Sequence, residues 1–142
     1  MATKRGLPTL IRLHQRQLDE KRRMLAELEQ MRAEMDRKIV LLDAEVERER
    51  QAAQEAPEAL RQFAAYLDGV RQRRQTMLRT IDELMPKIEA AANEVAAAFQ
   101  DVKKFEIAAD IKERQRQAAL AKIEQDELDE VALVQHRRRS RD

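Results

Sequence analysis

Residues 51–60, QAAQEAPEAL, separate two long stretches of sequence that both favour helix. Pro57 cannot donate a backbone hydrogen bond, and its ring disfavours helical geometry at the residue before it. Proline is nevertheless well tolerated in the first turn of a new helix. We therefore predict that a first helix ends near Ala53, that residues 54–57 form a turn, and that a second helix begins at about residue 58.

An apolar stripe with a single heptad phase runs through both stretches. Its positions alternate by four and three residues from Leu7 to Phe105, and the phase continues across Pro57, Gly69 and Pro86. The few polar positions on the stripe are His14, Lys21, Arg32, Glu49 and Arg74. A mean spacing of about 3.5 residues is typical of the seam of a left-handed coiled coil. We therefore expect Gly69 to be helical and Pro86 to bend a continuous helix.

Pairing across the turn favours an antiparallel hairpin. Facing seam positions in such a pair have residue numbers with a constant sum, which is about 112 or 113 for a turn centred near residue 56. Leu42 then faces Val70. The polar positions face apolar partners, as in the pairs His14 with Ala98, Lys21 with Ala91, Arg32 with Ile81, and Arg74 with Ile39. A lysine or arginine in such a seam can lay its methylenes on the neighbour and direct its charge outward.

The predicted fold class is all-α, a long antiparallel two-helix coiled coil (an α-hairpin) that forms a single domain over residues 1–142. Thr9 is a candidate N-cap, so we place the first helix at about 9–53, the second at about 58–136, and a basic tail at 137–142. The stripe weakens after Phe105, where the first helix has no further residues to pair. The second helix should therefore overhang the first, and its apolar residues make the overhang a candidate binding surface. These residues are Ile107, Ile111, Leu120, Ile123, Leu128, Val131 and Val134.

Composition limits the classes of function. Charged residues make up 39% of the chain, with two Gly, three Pro and no Trp, a profile typical of long helices. The net charge of +1 gives no general basic field for nucleic acid. The absence of Cys excludes disulfides and thiolate metal sites. Without a signal peptide or an apolar run of about 20 residues, we expect a cytoplasmic protein with no direct membrane insertion.

Residues for catalysis or cofactor binding are sparse. Two Gly in the whole sequence exclude a phosphate-binding glycine loop. Ser140 is the only serine, and it lies in the charged tail, which makes a serine nucleophile implausible. His14 and His136 lie near opposite termini, far from the spacing of a zinc site. We predict no enzyme activity, no metal and no cofactor.

Two further clusters have a structural and a functional interpretation. Arg71, Arg73 and Arg74 could contact phosphate, but aromatic residues for base stacking are missing there, and a solvated helix face is the simpler interpretation. Phe63 and Tyr66, near the turn, could form a docking patch for a partner. Aromatic residues in this position more often seal the end of a coiled coil.

Three segments resemble the flagellar FliJ family. The segment EQDELDEVA, residues 124–132, is similar to the family's C-terminal signature, in which Glu-Gln is followed by Leu-Asp-Glu and then Ala. LPTLIRLHQRQLDEKRRMLAELEQM, residues 7–31, looks like its first helix. FAAYLDGVRQRRQTMLRTID, residues 63–82, resembles the start of its second helix. Together the likeness covers nearly the whole chain.

The resemblance implies a non-enzymatic stalk and chaperone of the flagellar type III export apparatus. The implied partners are the hexameric export ATPase and the membrane export gate, with export chaperones as a further candidate. The implied location is cytoplasmic, peripheral at the inner face of the inner membrane. By analogy with rotary stalks, the end with both termini enters the ATPase ring, which makes Glu124, Leu128, Asp129 and Glu130 candidate contacts. The plainer interpretation of these residues is an acidic stretch of solvated helix.

Alternatives remain at this stage. One is a generic cytoplasmic coiled-coil scaffold, which could be a parallel dimer, or a stalk of the related virulence-type injectisome. Another is an adaptor that binds nucleic acid or a membrane surface through the basic tail, with the steep salt dependence that phosphate contacts produce.

Overall fold

The computed structural model describes residues 2–141, with side chains from residue 6 onward. It contains two helices, α1 (Ala2–Ala53) and α2 (Pro57–Arg141), and no strand in the described range. The helices pack against each other as an antiparallel hairpin, which confirms the predicted fold class. Residues 54–56 connect them, and Pro57 takes the first position of α2, where its missing N–H has no helical partner to lose.

Both helices are longer than the sequence led us to expect. α1 already includes Pro8 in its interior, upstream of the expected start at Thr9. Pro8 is the seventh residue of α1, so its missing N–H removes one helical hydrogen bond and its ring disturbs the preceding turn, yet the helix continues through it. α2 continues through the segment expected as a tail. Its last turn contains Arg138, Arg139 and Arg141, whose positive charges favour a helix C-terminus.

The chain divides into two compact units. The turn unit is Arg16–Phe99, and the terminal unit combines Met1–Gln15 with Gln100–Asp142. Each unit contains residues of both helices.

The core of the turn unit follows the predicted stripe. Its buried residues are Leu18, Ile39, Leu42, Ala53, Val70, Ile81, Leu84 and Ala91. Every one of them is a stripe position, and no polar residue is buried among those described. Leu42 and Val70, which were predicted to face each other, are only 5% and 4% exposed. Burial of side chains of this size contributes roughly 1.5–3 kcal/mol each, so the seam is the main source of stability.

Two polar stripe positions in the turn unit, Lys21 and Arg74, form ion pairs across the two helices. Lys21 Nζ lies 3.0 Å from Glu94 Oε2. Arg74 donates to Asp43, with Nε 3.1 Å from Oδ1. Each acid comes from the opposite helix, about one turn beyond the apolar residue predicted to face the base. The charges therefore leave the seam as expected, and the specific partners are a finding of the structure.

Most stripe positions next to the turn are exposed, although Ala53 is buried. Glu49, Ala56 and Leu60 are stripe positions, yet all three are exposed, and Leu60 retains 54% of its accessible surface. Phe63 and Tyr66 are partly buried there instead. Heptad positions are buried only where another helix faces them, and the chain reverses direction at this point.

In the terminal unit the helices pair over a short distance. Val102 is buried, and the ring of His14 stacks on Phe105 with centroids 4.6 Å apart and planes inclined by 27°. From Asp110 to Arg141 every residue is exposed. We call residues 110–141 the arm. Neither helix, over the range described, contains a stretch long and apolar enough to cross a bilayer.

Candidate partner-binding surfaces

The arm is a helix with an unpartnered surface. Its exposed large apolar residues are Ile111, Leu120, Ile123, Leu128, Val131, Leu133 and Val134. An isolated helix with this many apolar side chains would be expected to bury some of them against a partner. The arm therefore remains the first candidate for a binding surface.

Ion pairs within the helix support the beginning of the arm. Arg114 pairs with Asp110 at 3.1 Å, and Arg116 Nη2 lies 2.7 Å from Glu113 Oε1. The hydrogen bond from Arg116 lowers the pKa of the Glu113 carboxyl below its ordinary value. Such i,i+3 and i,i+4 pairs each contribute a few tenths of a kcal/mol to a solvated helix. They suit a segment that must stay helical without a second helix beside it.

The four predicted contact residues in the arm are all exposed, but they do not form one face. Glu124 and Leu128 are four residues apart and share a side of the helix. Asp129 and Glu130 point progressively away from it, at about 100° per residue. Asp129 accepts a hydrogen bond from Gln125, with Nε2 3.2 Å from Oδ1. Leu128 is 64% exposed, the most of any large apolar side chain in the arm.

A shallow groove lies near the end of the arm, and sequence reasoning did not identify it. Its lining residues are Glu127, Glu130, Val131, Val134, Gln135 and Arg138. Glu130 is the one predicted contact residue in this set. The sequence pattern that would predict the groove is a pair of valines three residues apart. An acid lies four residues before the first valine, and a base lies four residues after the second. These positions fall outside the phase of the main stripe.

Charge in the arm is separated into blocks. Five acids occupy 124–130, namely Glu124, Asp126, Glu127, Asp129 and Glu130. Four arginines occupy 137–141, namely Arg137, Arg138, Arg139 and Arg141. The near-zero net charge of the chain conceals this local segregation, which creates strong fields of opposite sign on one helix.

Phe63 and Tyr66 form the second candidate surface, next to the turn. Their ring centroids lie 6.1 Å apart with planes inclined by 32°. The Arg50 guanidinium carbon lies 6.0 Å from the centre of the Phe63 ring. A small pocket beside them is lined by Glu49, Ala52, Ala53, Ala59, Gln62, Phe63 and Tyr66. The aromatics line this pocket together with the buried Ala53, and the pocket leaves room for a small apolar group.

The Tyr66 hydroxyl is enclosed and forms no hydrogen bond of good geometry, although the Glu45 carboxylate lies near enough to act as its acceptor. Desolvation raises the pKa of this phenol above its ordinary value of 10.0, and the neighbouring Glu45 carboxylate and the charge on Glu49 raise it further. The hydroxyl therefore stays protonated near neutral pH. Among the described side chains, no three His, Cys, Asp or Glu residues converge as they would around a metal ion.

Comparison with known proteins identifies the family. A family model described as "Flagellar FliJ protein" matches residues 3–141, nearly the whole chain. This chain belongs to the flagellar FliJ family. The resemblance inferred from residues 124–132 and the two helical segments is thereby confirmed.

Two curated FliJ proteins are similar to this chain. Both are named "Flagellar FliJ protein", and they come from Caulobacter vibrioides strains NA1000 / CB15N and ATCC 19089 / CIP 103742 / CB 15. Each is 31% identical over 98 residues, which covers 69% of this chain and 70% of the relative. No solved structure matches the chain.

Proposed function

We propose that this FliJ-family chain is a non-enzymatic stalk of the flagellar type III export apparatus, which binds the hexameric export ATPase and the membrane export gate. The observation that carries the proposal is the combination of family membership with a two-helix hairpin whose second helix includes an exposed arm. Export chaperones are a further candidate partner. The corresponding location is the cytoplasmic face of the inner membrane, where such an apparatus would meet its gate.

The surface charges and the buried seam of the hairpin support a role as a stalk. One asymmetric helix pair inside a six-fold ring meets several similar sites in turn, so its contacts should be weak and reversible. Exposed ion pairs and separated charges meet this requirement, because each contributes little and is screened by salt. The buried apolar seam supplies the stiffness.

The arm is our proposed ATPase-binding segment, with Glu124, Leu128, Asp129 and Glu130 as contact residues. Leu128 is the sharpest of these, because so large an apolar side chain gains most from being covered. For the second surface, we propose that Phe63 and Tyr66 accept a small apolar group in the adjoining pocket. A group at this position would lie at the turn, away from the arm in sequence.

The decisive experiment measures ATP hydrolysis by the purified export ATPase with and without this chain. We expect stimulation by the native protein and clearly reduced stimulation by Leu128→Ser. Leu41→Ser is the matched control, because Leu41 is 67% exposed on α1 of the turn unit and plays no part in the proposed contact. An active ATPase that is neither bound nor stimulated by the native chain would contradict the proposal.

The alternatives predict different results. A generic scaffold or an injectisome stalk would fail to restore swimming when expressed in a flagellated strain that lacks its own FliJ. A true flagellar component from a compatible species should restore it, and the Leu128→Ser variant should do so less well than Leu41→Ser.

A further inference from the structure

The arm contains a second heptad seam that the main stripe does not explain. Its positions again alternate by four and three residues, and they are Leu120, Glu124, Glu127, Val131, Val134, Arg138 and Arg141. All seven are exposed. The main stripe, continued from Phe105 with the same stepping, would pass through Ile123 and Glu130 instead. The arm therefore has its own phase, which is expected of a surface that pairs with something other than α1.

The side-chain charges along this seam change from negative to positive about a central point. From Glu124 to Arg141 the seam reads acid, acid, valine, valine, arginine, arginine. A two-fold axis placed between Ala132 and Leu133 brings Val131 opposite Val134 of a second copy. The same axis brings two acid–base pairs together, Glu124 with Arg141 and Glu127 with Arg138.

We propose that the arm is a self-association surface, through which two copies of this chain form an antiparallel two-helix coiled coil. The valines form the dry centre, and the acids and arginines of each copy meet the arginines and acids of the other. This inference does not rest on the proposed export function, because it uses only the residues of the arm.

Charge fixes the orientation of the pair. In a parallel, in-register dimer, Glu127 would face Glu127 and Arg138 would face Arg138, so every charged seam position would meet its like. In the antiparallel pair each of these positions meets its opposite. Glu130 and Arg137, which flank the seam on one edge, also fall opposite each other across the axis, since antiparallel coiled coils bring such edge positions together.

The groove near the end of the arm coincides with the centre of this interface. Four of its lining residues, Glu127, Val131, Val134 and Arg138, are consecutive seam positions. Val131 and Val134 are 54% and 48% exposed in the single chain, so a second helix has apolar surface to cover. The groove thus combines the apolar contact and the charge complementarity of one self-complementary patch.

Size predicts a weak dimer. The seam from Glu124 to Arg141 is about 26 Å long at about 1.5 Å per residue, and one short helix pair buries less than the roughly 1,200 Å² of a standard interface. Two valines per copy supply little apolar area. Ionic pairs must therefore contribute much of the attraction, and the dimer should dissociate as salt rises.

The first test is sedimentation equilibrium of the full chain from about 10 µM to about 1 mM, at about 50 mM and about 500 mM salt. We expect concentration-dependent dimers at low salt and mainly monomers at high salt. A chain that stays monomeric at every concentration in low salt would overturn the proposal and leave the surface to a different protein.

Charge reversal tests the pairing. Glu127→Arg and Arg138→Glu should each raise the dimer Kd by about tenfold or more, because each places like charges opposite one another. The double variant E127R/R138E should recover the native Kd, because it restores opposite charges at both pairs of the antiparallel arrangement. D126R and R139E are matched controls, since they make the same charge changes on the outward side of the arm and should alter the Kd much less. Equal weakening by the controls would mean that net charge, and not the seam, governs association.

Crosslinking tests the orientation directly. The chain contains no cysteine, so Val131→Cys and Val134→Cys can be introduced into separate chains. On mixing and oxidation we expect the mixed disulfide to form in preference to either homodimer. Preferential homodisulfides would indicate a parallel pair and would contradict the proposal.

Discussion

Arg74 of α2 donates to Asp43 of α1 through a contact of 3.1 Å between Nε and Oδ1, although Arg74 occupies a position on the apolar seam. The second guanidinium nitrogen lies 3.5 Å from Oδ2, so the pair is nearly bidentate. The guanidinium leaves the seam, while its stem can still cover the neighbouring apolar surface. A base in the seam is thereby compatible with a continuous core.

This geometry predicts that the ion pair matters less than the apolar contacts beside it. Asp43→Asn should lower the free energy of unfolding by about 1 kcal/mol or less, because both partners are partly exposed. Leu42→Ala should lower it by about 2–4 kcal/mol, because Leu42 is buried and its removal leaves a cavity. Urea unfolding followed by circular dichroism measures both. A larger loss for Asp43→Asn than for Leu42→Ala would contradict the ranking.

The hairpin predicts crosslinking within a single chain. Cysteines at Met35 and Met77, two half-buried seam positions on opposite helices, should form an intramolecular disulfide in dilute solution. The matched control pairs Val40→Cys with Met77→Cys, because Val40 is exposed on the outward side of α1. Non-reducing electrophoresis and mass spectrometry distinguish the products. Crosslinks found only between chains would argue for an intermolecular coiled coil.

Gly69 offers a stabilising substitution. It lies inside α2, its φ angle is not positive, and an added Cβ would meet nothing within 4 Å. Gly69→Ala should therefore raise the free energy of unfolding by about 0.4–1 kcal/mol, mainly by restricting the unfolded chain. Thermal unfolding should show a higher midpoint than the native protein. A lower midpoint would mean that this part of the helix needs the freedom of glycine.

Tyr66 predicts a difference in stability at alkaline pH. Because the folded state raises the pKa of its phenol above 10.0, the unfolded chain releases this proton first. The contribution of the protonated Tyr66 phenol to the free energy of unfolding is fully present below pH 10. It is lost as the pH rises through the folded-state pKa of this group. Tyr66→Phe should reduce the fall in thermal midpoint between about pH 9 and pH 11.5, where the ordinary phenol titrates.

The comparison between native protein and Tyr66→Phe isolates the effect of this phenol on the pH dependence of the thermal midpoint. The variant should also fold at neutral pH with little loss of stability, since the enclosed hydroxyl forms no hydrogen bond of good geometry. Parallel curves for the two proteins across the alkaline range would contradict the pKa argument. A less stable variant at neutral pH would indicate that the Glu45 carboxylate accepts a hydrogen bond from the hydroxyl.

The sequence was sufficient to predict the hairpin, because the heptad phase indicates which residues are buried and Pro57 indicates where the chain reverses direction. Leu42 and Val70 illustrate this, since their residue numbers alone predict that they face each other in the core, and both are buried. Glu94 and Asp43 were not predicted as ion-pair partners, because the pairs depend on how far a long side chain reaches along the opposite helix. Heptad spacing gives the position of a residue on the seam and leaves the rotamer open.

The candidate surfaces were harder to predict than the fold. Leu128 and Glu130 are predicted as contact residues from a family signature. Such a signature gives the order of residues in the sequence and does not specify which side of a helix each one occupies. The groove at Val131 and Val134 cannot be predicted from the main stripe, because both residues fall outside its phase. With no facing helix, nothing in the core constrains the phase of the arm, so only the exposed surface reveals it.

The short connection between α1 and α2 also has a consequence for how the protein folds. The Asp43–Arg74 contact closes a loop of 31 residues, whereas the Lys21–Glu94 contact closes one of 73. Forming the longer loop directly from the unfolded chain costs about 0.8 kcal/mol more in closure entropy. Folding should therefore begin beside Pro57, and the heptads of the two helices should then pair in order of their distance from the turn. The pairing of His14 with Phe105 would then be the last to form and the first to fray.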